Sequence, residues 1–237
     1  MISEKMKRLA ENNSVIRAMF EEGQQMSREF GAENVYDFSL GNPSVPAPAA
    51  VKEAIRDILQ DEDSLMVHGY MSNVGYSDVR QAVAEHLNRQ FGTDFHENNI
   101  IMTVGAAGGL NVILKTLLNP GDEVLTFAPY FTEYGNYVAN YDGELVVVSP
   151  NTVDFLPNLR KITAKTKAVI INNPNNPTGV VYSRETCMEL SRILREKQHE
   201  YGTDIYLISD EPYRELAYDG VEVPYLTEYY ANTIVCY

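Results

Sequence analysis

The chain has 237 residues, of which 44% are hydrophobic and 22% are charged. This length is enough to bury a large core, so we expect one or at most two folded domains. The formal net charge is −14, from 33 acidic and 19 basic residues, and the sequence holds no cluster of lysines and arginines. The charge argues against a nucleic-acid partner and against binding to an anionic membrane. A small anionic ligand is still compatible with it, because such a ligand needs only a few backbone N–H groups.

The cysteines and the N-terminal residues are typical of a cytoplasmic protein. Cys187 and Cys236 are far apart and no metal-ligand spacing surrounds them, so neither a disulfide framework nor a zinc site is indicated. The first residues are charged and lack the apolar core of a signal peptide. No window of the sequence reaches the apolar length of a membrane span, so no membrane partner is expected.

In chain order, the sequence first predicts an N-terminal arm over residues 1–48. One or two amphipathic helices are expected within residues 3–30, with Ser14 as an N-cap, and a first strand is expected at Val35–Leu40. Residues 49–237 are predicted to form a single domain in which helices alternate with strands.

The helices of this domain are expected at Ala49–Gln60, Ser77–Phe91, Ala106–Leu118, Phe131–Asn140, Leu156–Ile162 and Arg184–His199. The strands are expected at Ile100–Val104, Glu123–Phe127, Leu145–Val148, Ala168–Ile171, Ile205–Ile208 and Thr233–Tyr237. Short apolar runs separated by amphipathic helices are typical of a sheet that is covered on both faces. The predicted fold class is therefore α/β, an αβα sandwich around a mostly parallel, doubly wound sheet.

Apolar spacing predicts which faces of two helices are buried. In the first helix of the domain the inward residues are expected to be Val51, Ala54, Ile55, Ile58 and Leu59. In the second helix, which Ser77 is expected to cap, they are Val79, Ala82, Val83 and Leu87.

Three predicted strands are followed by segments that carry chemistry, and parallel strands would bring all three to one edge of the sheet. The first is Gly105–Gly109, whose small residues open a helix. Free backbone N–H groups and the helix dipole suit a phosphate there. The segment matches neither G-x-G-x-x-G nor a Walker loop, and simple helix packing remains an alternative.

The second segment is Asn172–Gly179, which contains two Asn-Pro pairs. These pairs forbid a helix and predict a rigid, amide-rich loop, although a plain turn is the alternative. The third is Ser209–Tyr213, where a buried Asp210 would need a cationic or N–H partner unless it forms a cap or a surface ion pair. With the phenol of Tyr213, these features describe an anionic heteroaromatic ligand with a basic ring nitrogen, such as pyridoxal phosphate.

In this order and spacing, the motifs resemble those of the class I aminotransferases, the aspartate-aminotransferase-like group of fold type I pyridoxal-phosphate enzymes. The resemblance covers residues 14–237. It is carried by the stretches Ser39–Pro43, His68–Tyr70, Gly105–Ala107, Ala128–Phe131, Asn173–Gly179 and Ser209–Tyr213. It implies that residues 49–237 are part of the large, cofactor-binding domain.

The resemblance also implies roles for particular residues. Asp210 would pair with the protonated pyridine nitrogen, and Tyr213 and Asn176 would bond the phenolate oxygen of the ring. Phe131 would stack on the ring. Backbone N–H groups of the segment Gly105, Ala106 and Ala107 would hold the phosphate, although Ala107 lacks the polar side chain that relatives carry.

Two further implied roles concern the substrate and the partner subunit. Gly41 and Asn176 would lie against the substrate carboxylate. Tyr70 would reach the phosphate in the partner subunit, so a homodimer is expected. The activity implied is transfer of an amino group between an L-amino acid, with an aspartate-like substrate favoured, and a 2-oxo acid.

The sequence departs from the family at its end. The Schiff-base lysine of the family follows the last strand, but the last lysine here is Lys197 and the sequence ends at Tyr237. We therefore expect a fragment truncated before that lysine and before the C-terminal small domain, with no catalytic residue of its own, non-covalent cofactor binding at best, and no activity alone. A non-catalytic regulatory module of this fold and a related carbon–sulfur lyase remain alternatives.

Overall fold

The computed structural model describes residues 2–11, 15–39, 41, 45–149 and 161–237. The chain divides into two compact units, Met1–Tyr70 and Met71–Tyr237. The domain boundary expected between residues 48 and 49 stays a prediction. Within the described ranges, no helix combines the length and the apolar character needed to cross a membrane.

The first unit is helical, as predicted for residues 3–30 and 49–60. Its helices are α1 (Glu4–Glu11), α2 (Val15–Phe30), α3 (Ala49–Asp61) and α4 (Ser64–His68). Asp63 caps α4, and its carboxylate accepts hydrogen bonds from the backbone N–H groups of Leu65 and Met66 at 2.9 and 3.1 Å. The predicted N-cap at Ser14 lies outside the described residues.

Two predictions for the first unit are wrong. Residues 35–39 form no strand, and Leu40 lies outside the described residues. Asp37 accepts a hydrogen bond from the backbone N–H of Ser39 at 2.8 Å, a local turn that competes with an extended chain. The apolar side chains of α3 that were expected to face inward are exposed.

The second unit contains a sheet and the helices that cover it. The helices are α5 (Ser77–Phe91), α6 (Gly105–Leu117), α7 (Tyr134–Ala139) and α8 (Arg184–Tyr201). The strands are β1 (Glu123–Phe127), β2 (Glu144–Val148), β3 (Thr166–Asn172), β4 (Tyr206–Asp210) and β5 (Thr233–Cys236). All pairings between these strands are parallel, in the order β2-β1-β3-β4-β5.

The sheet is buried on both faces, which confirms the predicted α/β fold class. Alternate residues of each strand enter different cores because successive side chains point to opposite faces. Val169 and Leu207 pack with α8, through Leu190 and Leu194. On the other face, Ile170 and Ile208 pack with residues of α6 and α7. The sandwich thus holds α8 on one side and α6 and α7 on the other.

The strand predicted at Ile100–Val104 is not present. Ile100 has an extended backbone, but no described strand pairs with residues 100–104, and Ile101, Met102 and Val104 are exposed. Met102 donates its backbone N–H to the carbonyl of Val74 at 3.0 Å, which is a loop contact. The apolar run therefore predicts one strand too many, because a strand also needs a neighbouring strand with which to form backbone hydrogen bonds.

The details of α5 also differ from the prediction. Tyr76, not Ser77, is its N-cap residue, and the Ser77 hydroxyl instead bonds the carboxylate of Glu97. Arg80 and Ala84 are its buried residues. Of the four residues expected inward, Val83 and Leu87 are half-buried, whereas Val79 and Ala82 are exposed because the covered face is centred on Arg80 and Ala84.

Two helix predictions have different bounds or fall on undescribed residues. The helix expected from Phe131 begins only at Tyr134. The helix expected at Leu156–Ile162 lies outside the described residues except for its last two, of which Ile162 is buried in the core on the α8 side.

Candidate functional site

A cavity lies at the carboxyl ends of β3 and β4, on the face covered by α6 and α7. The predicted site residues that line it are Ala106, Ala107, Phe131, Asn176, Asp210 and Tyr213. Leu110, Tyr137, Asn172 and Pro212 complete the lining. The structure therefore brings together segments that are about a hundred residues apart in the chain, as expected where parallel strands end at a common edge.

The remaining predicted residues are placed as follows. Gly105 opens α6 with a φ of 67°, a left-handed conformation that favours glycine. Gly41 and Tyr70 belong to the first unit, where Tyr70 is fully exposed. The roles of Gly41 and Tyr70 stay predictions.

Asp210 is the one acidic or basic residue among the described residues that line the cavity. Its side chain emerges on the α6 and α7 face because Ile208, two residues earlier, packs there. The residue is only 5% exposed. One carboxylate oxygen, Oδ2, accepts a hydrogen bond of 2.6 Å from the hydroxyl of Tyr134. The other, Oδ1, is buried and has no hydrogen-bond partner among the described residues.

The electrostatics of Asp210 follow from this geometry. Burial raises the pKa of its carboxyl, and the hydrogen bond from Tyr134 lowers it again in part. A buried oxygen without a partner is costly, and its cost falls when a cation or an N–H group approaches. The cavity therefore favours a ligand that offers a positively charged donor at this point.

Asn172 ties the end of β3 to Asp210. The two residues are paired in register between β3 and β4. The Asn172 side-chain amide donates to the backbone carbonyl of Asp210 at 2.8 Å, and its oxygen accepts the backbone N–H of Asn176. One amide thus connects the acid to the Asn/Pro loop.

The Asn/Pro loop presents Asn176 to the cavity and is not a plain turn. Asn176 donates from Nδ2 to the hydroxyl of Tyr213 at 3.3 Å. Asn175 stabilises the loop, because its side-chain oxygen accepts the Thr178 hydroxyl at 2.7 Å and its backbone N–H bonds the carbonyl of Val180 at 2.9 Å. The amide of Asn176 and the phenol of Tyr213 form a pair of neighbouring donors.

The first turn of α6 forms another wall. Ala106 and Ala107 line the cavity, and no acidic residue lies in this turn. The first N–H groups of a helix have no partner within it, and the dipole favours negative charge there. This end of the cavity suits an anion, while the Asp210 end suits a cation.

Phe131 lies on the cavity wall and is not only a core residue. Its ring meets that of Tyr134 edge to face, with centroids 5.7 Å apart and an interplanar angle of 85°. This contact leaves the Phe131 ring as an apolar surface of the cavity. A flat aromatic ligand is the shape that such a surface fits.

A buried ion pair lies directly after Asp210. Arg214 donates from Nε to Oε2 of Glu211 at 2.6 Å, and the Ser209 hydroxyl donates to Oε1 of Glu211 at 2.6 Å. Arg214 also donates to the carbonyl of Val223 at 2.7 Å. Burial raises the pKa of Glu211, and Arg214 opposes that rise. The pair anchors both ends of the short segment that carries Tyr213.

Sequence reasoning missed Tyr134, Tyr137 and Asn172. The sequence indicates that a buried Asp210 needs a donor, but it cannot assign that donor to a tyrosine on a distant helix without the fold. The spacing of Tyr134 and Tyr137, three residues apart, was the available signal that both face the same way. In the described part of the chain, no three His, Cys, Asp or Glu residues gather to hold a metal ion.

The chain is similar to known proteins over most of its length. The family described as Aminotransferase class I and II matches residues 32–237. An aspartate/prephenate aminotransferase of Thermus thermophilus is 36% identical over 77% of this chain and 46% of its own length. An aspartate aminotransferase of Pyrococcus horikoshii is 32% identical over 94% of this chain and 54% of its own length.

Solved structures show the same similarity in three dimensions. An amino transferase from Eubacterium rectale has a TM-score of 0.95 and 45% identity, covering 100% of this chain and 61% of that one. Aspartate aminotransferase from Thermus thermophilus with maleate has a TM-score of 0.83 and 30% identity, covering 99% and 60%. The chain thus spans about half the length of the curated relatives it matches.

Proposed function

Because the chain belongs to the class I and II aminotransferase family, we propose that it builds the cofactor cavity of an enzyme that moves an amino group between an L-amino acid and a 2-oxo acid. Pyridoxal phosphate is the cofactor of this family. When bound, it supplies an electron sink for the negative charge that develops at the α-carbon of the substrate.

The observation that carries the proposal is the buried Oδ1 of Asp210, which has no partner among the described residues. It fits the protonated ring nitrogen of pyridoxal phosphate, which offers one N–H donor with a positive charge. Asp210 would hold that proton on the ring, since an ionised carboxylate at hydrogen-bond distance favours the charged form of its partner.

The other walls of the cavity fit the remaining groups of the cofactor. Backbone N–H groups of Gly105, Ala106 and Ala107 would hold the phosphate at the start of α6. Asn176 and Tyr213 would donate to the phenolate oxygen of the ring. Phe131 would cover one face of the ring and exclude water from it.

For the substrate we propose an aspartate-like amino acid. Similar proteins from Thermus thermophilus and Pyrococcus horikoshii bear the names aspartate/prephenate and aspartate aminotransferase. Asn176 and Gly41 would contact the substrate carboxylate. Tyr70 would act in the partner subunit of a homodimer, and the protein would be cytoplasmic.

A direct test is calorimetric titration of the purified chain with pyridoxamine 5′-phosphate, the amine form of the cofactor, which cannot form Schiff bases with surface lysines. Asp210→Asn should weaken binding at least tenfold, because the ligand loses a charged hydrogen bond. Asp204→Asn, which changes an exposed aspartate just before β4, is the matched control and should not change binding. Equal affinity of the wild type and Asp210→Asn would refute the proposal.

We further propose that the 237-residue chain does not transaminate by itself. None of the described residues that line the cavity is a lysine, whereas the family reaction needs a lysine amine to move a proton at the substrate. The assay mixes the chain with aspartate, 2-oxoglutarate and pyridoxal phosphate. Turnover above the rate of free cofactor would show that this part of the proposal is wrong.

A further inference from the structure

Tyr137 is a residue of the cavity wall that the roles above do not use. It lies on α7 one turn after Tyr134, so both phenols face the same side of the helix. The Tyr134 hydroxyl is committed to Asp210. The Tyr137 side chain is half-buried and lines the cavity, but its hydroxyl has no hydrogen-bond partner in the part of the chain that the structure describes.

The first turn of α6 lines the same cavity as Tyr137. Ala106, Ala107 and Leu110 line the cavity there, and α7 packs against α6 in the same core. Ala107 carries only a methyl group, so its side chain cannot donate to an anion at this helix end. The Tyr137 phenol is a side-chain donor that lines the same cavity as this helix end.

The groups around Tyr137 keep its hydroxyl protonated. Burial raises the pKa of the Tyr137 phenol, and the nearby carboxylates of Glu133 and Asp210 raise it further. A protonated phenol donates a hydrogen bond, whereas a phenolate would repel an anion. The hydroxyl is therefore protonated at neutral pH and is able to donate a hydrogen bond.

We propose that the Tyr137 hydroxyl donates a hydrogen bond to the phosphate group of the ligand in this cavity, supplying the side-chain donor that Ala107 lacks. The assignment rests on the proposed function, because that function puts a phosphate at the start of α6. Tyr137 is then a residue that determines affinity for the phosphorylated form of the ligand over the unphosphorylated form.

The test compares two ligands that differ only in the phosphate, pyridoxamine 5′-phosphate and pyridoxamine, titrated calorimetrically into the purified chain. Tyr137→Phe should weaken binding of the phosphate ester about tenfold, the value of one charge-assisted hydrogen bond, and leave binding of pyridoxamine within about twofold. Tyr218→Phe, which changes an exposed phenol outside the cavity, should alter neither.

Adding Ala107→Ser to Tyr137→Phe restores a side-chain hydroxyl in the first turn of α6 and should recover much of the lost affinity for the phosphate ester. No recovery contradicts the idea that the two positions serve the same group. If Tyr137→Phe weakens both ligands equally, or neither, the assignment of Tyr137 to the phosphate is wrong. A wild-type chain that binds neither ligand overturns the proposed function as well, so the two failures are distinguishable.

Discussion

The hydroxyl of Tyr134 lies 2.6 Å from Oδ2 of Asp210, while Oδ1 of the same carboxylate is buried without a partner among the described residues. The two oxygens therefore have different tasks. One is bound to the fold through a fully buried phenol, which limits the orientations of the carboxylate. The other remains available to a ligand in a direction that the protein sets.

Removal of the Tyr134 hydroxyl should destabilise the folded chain. In Tyr134→Phe, Oδ2 of Asp210 becomes a second buried oxygen without a donor, at a cost of about 1–3 kcal/mol in the free energy of unfolding. Urea denaturation at neutral pH measures the difference. Tyr218→Phe, at an exposed phenol, is the control and should unfold like the wild type. Equal stability of Tyr134→Phe and the wild type would mean that the bond contributes nothing.

Asp210→Asn should change how stability depends on pH. Burial raises the pKa of Asp210 above its ordinary value of 3.8, so its contribution to stability is fully present below that pH and is lost as pH rises through the raised pKa. The unliganded variant should therefore gain stability relative to the wild type as pH rises. Urea denaturation between about pH 4 and pH 8 tests this. Parallel profiles for the two proteins would contradict it.

Ligand binding should make the wild type more stable than Asp210→Asn at neutral pH. With pyridoxamine 5′-phosphate in excess, the ionised Asp210 gains a cationic partner and the wild type is stabilised by mass action. The variant lacks that charge and should gain less. A comparison of the thermal midpoints with and without ligand at neutral pH measures this, and a larger ligand-induced rise in Asp210→Asn would count against the assigned role.

Loss of the buried ion pair between Glu211 and Arg214 should destabilise the fold more than loss of an exposed ion pair on α8. Arg214→Ala leaves the fully buried carboxylate of Glu211 without its cation, which costs about 3–5 kcal/mol in the free energy of unfolding. Arg192→Ala, which removes an exposed ion pair with Glu189 on α8, is the matched control and should cost far less. Similar losses in the free energy of unfolding of the two variants would show that burial does not determine how much the Glu211–Arg214 ion pair contributes to stability.

The paired glycines of α6 should respond differently to a methyl group. A Cβ at Gly108 meets only ordinary contacts, so Gly108→Ala should stabilise the helix by about 0.5–1 kcal/mol. A Cβ at Gly109 would lie 3.3 Å from both Cys236 Sγ and Thr103 Oγ1. Gly109→Ala should thus be less stable than Gly108→Ala by about 1 kcal/mol, as measured by urea denaturation. The reverse order would contradict this.

The sequence predicted the sheet well where apolar runs were continuous and short. β1, β3 and β4 lie where expected because buried parallel strands leave an unbroken apolar run with polar residues directly after it. The segment Ile100–Val104 has the same pattern but no partner strand among the described residues. The hydropathy pattern of a segment shows that it can form a buried strand. Whether it does so depends on a neighbouring strand with which its backbone can form hydrogen bonds.

The residues of the cavity, too, can be predicted from the sequence only in part. The sequence indicates Asp210, Asn176 and the start of α6 as site residues, because each follows an apolar run and has unusual polar or glycine-rich chemistry. Tyr134 and Asn172 have no such mark, since a tyrosine in a helix and an asparagine at a strand end are common. Tyr134 and Asn172 have a role because they lie close to Asp210. The packing of α7 brings Tyr134 there, and the register between β3 and β4 brings Asn172 there.

The register of β3 and β4 also constrains how this chain can vary. Asn172 and Asp210 face the same side because each stands an even number of residues after a core residue of its strand. Insertion or deletion of a single residue inside either strand would turn its polar end toward α8, away from the cavity. Single-residue insertions and deletions that preserve the cavity are therefore confined to the connections between strands and helices.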